Sequence, residues 1–167
     1  HMVEDLQEIN CSVLGDCDEY QTSVLEEPIK SGEILSYQDK YMGGSKGAKG
    51  MQASQKRIPA ELPDDVTKRI QFLAGETFRV LSCHGVSRVD VIRDRSNGEI
   101  YVNEINTIPG SLSFYLWEPL GVKYTELIDE MISLAMKRER ERESITYSFD
   151  TNVLSGIKLG GKKTGKM

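Results

Sequence analysis

The polar and apolar positions of this chain fall into two periods. Ser87 to Asp94, SRVDVIRD, alternates: Arg88 and Asp90 share one side of an extended strand, and Val89 and Val91 share the other. Glu99 to Gly110, EIYVNEINTIPG, opens with the strand formers Ile100, Tyr101 and Val102 after the turn signal Asn97-Gly98. Ile9 to Leu14 and Gln21 to Leu25 predict two earlier strands, with Glu26-Glu27-Pro28 breaking the second, and Glu33 to Tyr37 resumes extended chain. Helical spacing takes over twice. Behind Pro63, Asp64 and Asp65, the residues Val66, Ile70, Leu73, Thr77 and Val80 predict a helix with Gly75 as a weak point. Lys123 to Met136 predicts the strongest amphipathic helix, with Tyr124, Leu127, Ile128, Met131, Ile132 and Ala135 on its apolar side. The charged run KRERERE follows as a solvated extension. Together the elements predict an α+β fold, an antiparallel sheet with two helices packed on one face.

The chemistry concentrates on the last two strands. Glu104 and Asn106, spaced i, i+2, present two hard oxygens on one face, which suits Mg2+ (or Mn2+) as well as it suits a polar strand end beside the Pro109-Gly110 turn. The hairpin register decides whether Asp90 joins them. A two-residue Asn-Gly loop puts the two acids on opposite faces. A three-residue loop, Ser96-Asn97-Gly98, pairs Asp90 with Glu104 and Arg88 with Asn106. The second register, or another of the same parity, is expected; it gathers Arg88, Asp90, Glu104 and Asn106 on one patch, where the two acids repel unless a cation or an arginine sits between them.

RVDV followed by NEINTIPG resembles the carboxy-terminal part of the ATP-grasp ligases, in particular the D-alanine–D-alanine ligases. The likeness runs from about Glu8 to about Arg138 and implies an ATP-grasp C-terminal domain over residues 3–143. Residues 1–2 (His-Met) read as a cloning remnant, and the chain is expected to be a cut fragment. The resemblance implies several roles. Glu8 would bond the ATP ribose. Lys40 would contact the ATP phosphates, and Tyr41 would shape the site of the second substrate. Asp90, Glu104 and Asn106 would hold the metal, and Arg88 would stabilise charge during the reaction. Gly110 would offer its amide to the substrate carboxylate, with Ser111 and Ser113 both candidates for the accompanying hydroxyl. Phe114, Tyr115, Leu116 and Trp117 read as core. The implied reaction forms the peptidoglycan dipeptide from D-alanine and ATP by way of an acyl phosphate. The implied full-length enzyme is a homodimer, and the fragment is expected to fold, bind Mg-nucleotide weakly and not catalyse. A ligase with another acceptor, such as D-serine, and a non-catalytic nucleotide-binding module remain the alternatives.

Composition narrows the setting. A net charge of −5 argues against a nucleic-acid partner, and no apolar run is long enough for a membrane span. The odd set Cys11, Cys17 and Cys83, with no signal peptide in view, points to free thiols and a cytoplasmic protein. Cys83 beside His84 lacks the further ligands a metal pair needs. The glycine- and lysine-rich stretch 42–57, with Lys46, Lys49 and Lys56, reads either as a linker or as a lid that closes over phosphates. Residues 144–167 read as a flexible, basic tail.

Overall fold

A computed structural model of the chain describes residues 5–29 and 56–145. The extended stretch 33–37, Lys40, Tyr41, most of the predicted lid and the tail beyond Ile145 lie outside the described residues. The elements are β1 (Leu6–Gly15), β2 (Tyr20–Pro28), β3 (Lys56–Arg57), α1 (Asp64–Val80), β4 (Gly85–Asp94), β5 (Ile100–Asn106), 3-10 segments at Gly110–Leu116 and Glu118–Leu120, and α2 (Tyr124–Ser144). The strands make one antiparallel sheet in the order β3-β2-β1-β4-β5, so β1 is central.

Alternation along β1 and β4 sorts side chains to two faces. Ile9, Cys11, Val13, Val89 and Val91 pack under α1 with Ile70, Ala74 and Phe78. Leu14 and Val86 turn the other way and meet Trp117, Leu127 and Leu134. The two helices therefore lie on opposite faces, which corrects the expectation of one shared face. The reason is local: β1 and β4 are apolar on both sides at the Leu14–Val86 end, so each side needs a cover. The rest of the second face is polar and lies open to the site described below.

Three other expectations shift. Strand β2 runs through Glu26 and Glu27 to Pro28 rather than stopping before them. The two glutamates point to opposite faces, and each finds cations: Lys56 for Glu26, Arg57 and Arg95 for Glu27. Paired in this way they no longer break a strand. The buried stripe of α1 is Ile70, Ala74 and Phe78, while Val80 is exposed. Helix α2 continues through the charged run to Ser144 and buries Leu127 and Leu134, with Ile132 exposed. Glu126 starts this helix by accepting the Lys123 N–H at 3.0 Å. Among the described residues no helix is long and apolar enough to cross a membrane.

Candidate functional site

The hairpin that joins β4 to β5 sets the site. Near the turn Arg93 pairs with Ile100 and the Asp94 N–H bonds the Glu99 carbonyl, so four residues, Arg95 to Gly98, make the loop. That register alone would put Asn103 opposite Asp90. A bulge between Asp90 and Val91 leaves Asn103 as the extra residue and brings Glu104 opposite Asp90 and Asn106 opposite Arg88. The expected pairing is present, reached through a longer loop and a bulge. Bulges often re-aim side chains beside functional sites.

Ladder pairing then carries the row across the sheet. Glu26 faces Asn10, Asn10 faces Asp90, and Asp90 faces Glu104. Four strands thus contribute one residue each to a line of acid, amide, acid, acid. Asp90 is almost fully buried, and both its oxygens accept from Arg88, at 2.7 Å from Nε and 2.9 Å from Nη2. Asn106 Nδ2 adds contacts of 3.3 Å to Asp90 and 3.4 Å to Glu104. Burial raises the Asp90 carboxyl above the usual carboxylate range; Arg88 pulls it back, and Glu104 adds to the rise. The same pair holds the Arg88 guanidinium firmly protonated.

At the other end of the row, Glu26 is buried and receives three donors. Lys56 Nζ lies 2.8 Å away, Tyr115 Oη 2.9 Å and Asn10 Nδ2 3.4 Å. The Lys56 ammonium also stands 4.4 Å from the centre of the Tyr115 ring. Burial lifts the Tyr115 hydroxyl above its ordinary value, and the Glu26 charge adds to it. Tyr115 is therefore a polar member of this face and not only core. Leu116 and Trp117 are core as expected, with Trp117 Nε1 donating to Ser12 at 3.1 Å.

The other named residues fall around this patch. Glu8, two positions before Asn10 on β1, shares its face and lines a cavity of about 360 Å3 with Glu27, Pro28, Arg57 and Arg95. A larger cavity of about 440 Å3 lies at the far end of the sheet under α2 and contains no residue of the row. Gly110 and Ser111 are exposed; Ser113 is fully buried, and its hydroxyl has no partner among the described residues. Ser111, Leu112 and Ser113 all hold left-handed backbone angles, a strained run for residues with side chains. Asn10 is not singled out by the sequence; Glu26 reads there as a strand breaker, Lys56 as a lid lysine and Tyr115 as core. The signal for Asn10 was available, since Glu8, Asn10 and Ser12 alternate with Ile9, Cys11 and Val13.

A hard divalent cation fits this chemistry. Two carboxylates and an amide share one face, and the buried Asn10 Oδ1 beside them has no partner among the described residues. Among the described residues no group of three His, Cys, Asp or Glu forms a metal cluster, so a cation here would draw on the Asn106 amide oxygen as well as the two carboxylates. Glu26, Asp90 and Glu104 against Lys56 and Arg88 leave the patch one negative charge.

The D-ala D-ala ligase C-terminus family model matches residues 1–133. The chain belongs to this family. Among curated relatives, the D-alanine–D-alanine ligase of Thermosipho africanus is 38% identical over 89% of the chain and 39% of its own length. That of Caldicellulosiruptor bescii is 43% identical over 85% of the chain and 38% of its own length. The chain thus spans under two fifths of these relatives. Among solved structures, the Coxiella burnetii D-alanine–D-alanine ligase has a TM-score of 0.62 at 30% identity, covering 82% of this chain and 34% of that one. The VanG D-Ala:D-Ser ligase of Enterococcus faecalis has 0.60 at 33%, covering 77% and 36%. The α+β fold is accordingly that of the C-terminal domain of a D-Ala-D-Ala ligase.

Proposed function

We propose that this chain is the C-terminal part of an ATP-dependent D-alanine–D-alanine ligase that makes the peptidoglycan dipeptide. The observation that carries the reading is the gathering of Arg88, Asp90, Glu104 and Asn106 on one face by the β5 bulge. In this reaction the terminal phosphate of ATP passes to the carboxylate of one D-alanine. The amine of a second attacks the acyl phosphate, and phosphate leaves the tetrahedral oxyanion. Mg2+ (or Mn2+), held by Asp90, Glu104 and Asn106, would neutralise phosphoryl oxygens. Arg88 commits Nε and Nη2 to Asp90, which aims its remaining Nη1 as a donor for the transferring group and the oxyanion. Glu8, beside its cavity, is the ribose contact. Lys40 and Tyr41 serve the phosphates and the second amino acid. Gly110 supplies an amide to the substrate carboxylate, and the exposed Ser111 is better placed than the buried Ser113 to add a hydroxyl.

The test is calorimetric titration of Mg-ATP into the chain and into Glu104→Ala. Binding at least tenfold weaker in the variant supports the reading. Equal binding in both removes the patch from the nucleotide site. If neither binds, the same substitution in a full-length enzyme decides, with loss of D-Ala-D-Ala formation expected. The likeness to the VanG D-Ala:D-Ser ligase favours one second reading, a D-serine acceptor. Replacing D-alanine by D-serine as acceptor in the full-length enzyme separates the two.

A further inference from the structure

We infer that Asn10 belongs to the cation patch through a water, its Oδ1 accepting a hydrogen bond from a water bound to a divalent cation on Asp90 and Glu104. The inference rests on the reading that this patch holds such a cation. Three observations carry it. The Asn10 side chain is directed: Nδ2 donates to Glu26, so Oδ1 turns away from β2, to the β4 side where Asp90 stands opposite. The reverse orientation would set Oδ1 against the Glu26 carboxylate. Next, Oδ1 is buried and has no partner among the described residues, in a residue only 5% exposed. An acceptor left in that condition costs stability that an apolar side chain of the same size would not, and such costs concentrate at functional sites. Last, Oδ1 and the Asp90 carboxylate are neighbouring acceptors with no proton of their own between them. A bound water, with two O–H bonds, can serve both. Mg2+ and Mn2+ keep several waters when only one or two carboxylates hold them.

The function of Asn10 in this account is to fix the cation's hydration on the β1 side of Asp90. Glu26 then acts as a positioning residue, because among the described residues it alone orients the amide.

The experiment titrates Mn2+ alone into the 167-residue chain and follows the free-ion signal by electron paramagnetic resonance, with thermal unfolding measured in parallel. Four proteins are compared: the parent, Glu104→Ala, Asn10→Leu and Asn10→Asp. The expected result is binding by the parent, loss in Glu104→Ala, about tenfold weaker binding in Asn10→Leu, and a melting temperature for Asn10→Leu no lower than the parent's. Parent-like affinity in Asn10→Leu, with Glu104→Ala impaired, overturns the role of Asn10 and leaves the patch intact. No binding by the parent, or equal binding by Glu104→Ala, overturns both. If Asn10→Leu does not fold, Asn10→Asp decides: a charged oxygen at the same place tightens Mn2+ binding severalfold, and unchanged affinity overturns the inference.

Discussion

Asp16 closes the turn between β1 and β2 and is tied from two directions. Its Oδ1 accepts the N–H groups of Asp18 and Glu19, each at 2.9 Å, and its Oδ2 accepts from Lys137 of α2 at 2.6 Å. Chiefly through the Lys137 bond, its carboxyl is drawn down to about 2. A carboxylate lowered in the folded state contributes stability above its unfolded value near 4, and that contribution fades as the pH falls through 2. Urea unfolding measured between pH 6 and pH 2 is expected to show this loss in the parent and a flatter profile in Asp16→Asn. Lys137 belongs to the part of α2 where sequence periodicity foresaw a solvated extension, so this anchor was not legible: a lysine in KRERERE looks like its neighbours until the turn of β1 is placed beside it. The Asp90–Arg88 pair was legible, because both partners sit on one strand two residues apart and need no knowledge of distant chain.

Elements show where local pattern is a sufficient guide and where it is not. Strand alternation was enough to separate Val89 and Val91 from Arg88 and Asp90, and the side on which each falls is the one observed. Turn chemistry was not enough to give the loop length, because a bulge one strand-half away compensates for it. In α1 the glycine that looked like a weakness has a packing cause. A methyl at Gly75 would come within 2.2 Å of Cε2 in the Tyr20 ring, whose hydroxyl is held by Glu76 at 3.1 Å. Gly75→Ala gains about 1 kcal/mol of helix propensity but overpacks this contact, and overpacking typically costs about 1–3 kcal/mol. The net expectation is a lower melting temperature, reversed when Tyr20 is also replaced by Leu. If Gly75→Ala alone raises the melting temperature, the helix and β2 are less tightly engaged than the contact implies.

On the scale of the molecule, one sheet separates two apolar clusters, α1 over one face and α2 with the 3-10 segments over part of the other. Helix periodicity names apolar residues but not the face they will meet, which is why the placement of α2 could not be read from the chain. The only tryptophan, Trp117, lies in the second cluster and bonds Ser12 of the central strand. Its emission therefore reports the cluster that far-ultraviolet circular dichroism does not single out. If β1 joins both clusters into one cooperative unit, denaturation followed by the two signals has one midpoint. Separate midpoints would mean that the clusters melt independently.

The row of Glu26, Asn10, Asp90 and Glu104 draws one residue from each of four strands, which form two hairpins far apart in the chain. Each hairpin holds half of it, and only the pairing of β1 with β4 joins the halves, so a ligand on this row selects molecules in which the whole sheet is paired. Occupancy should then slow amide hydrogen exchange along β1, β2, β4 and β5 together, by one common factor, rather than only at the residues touched.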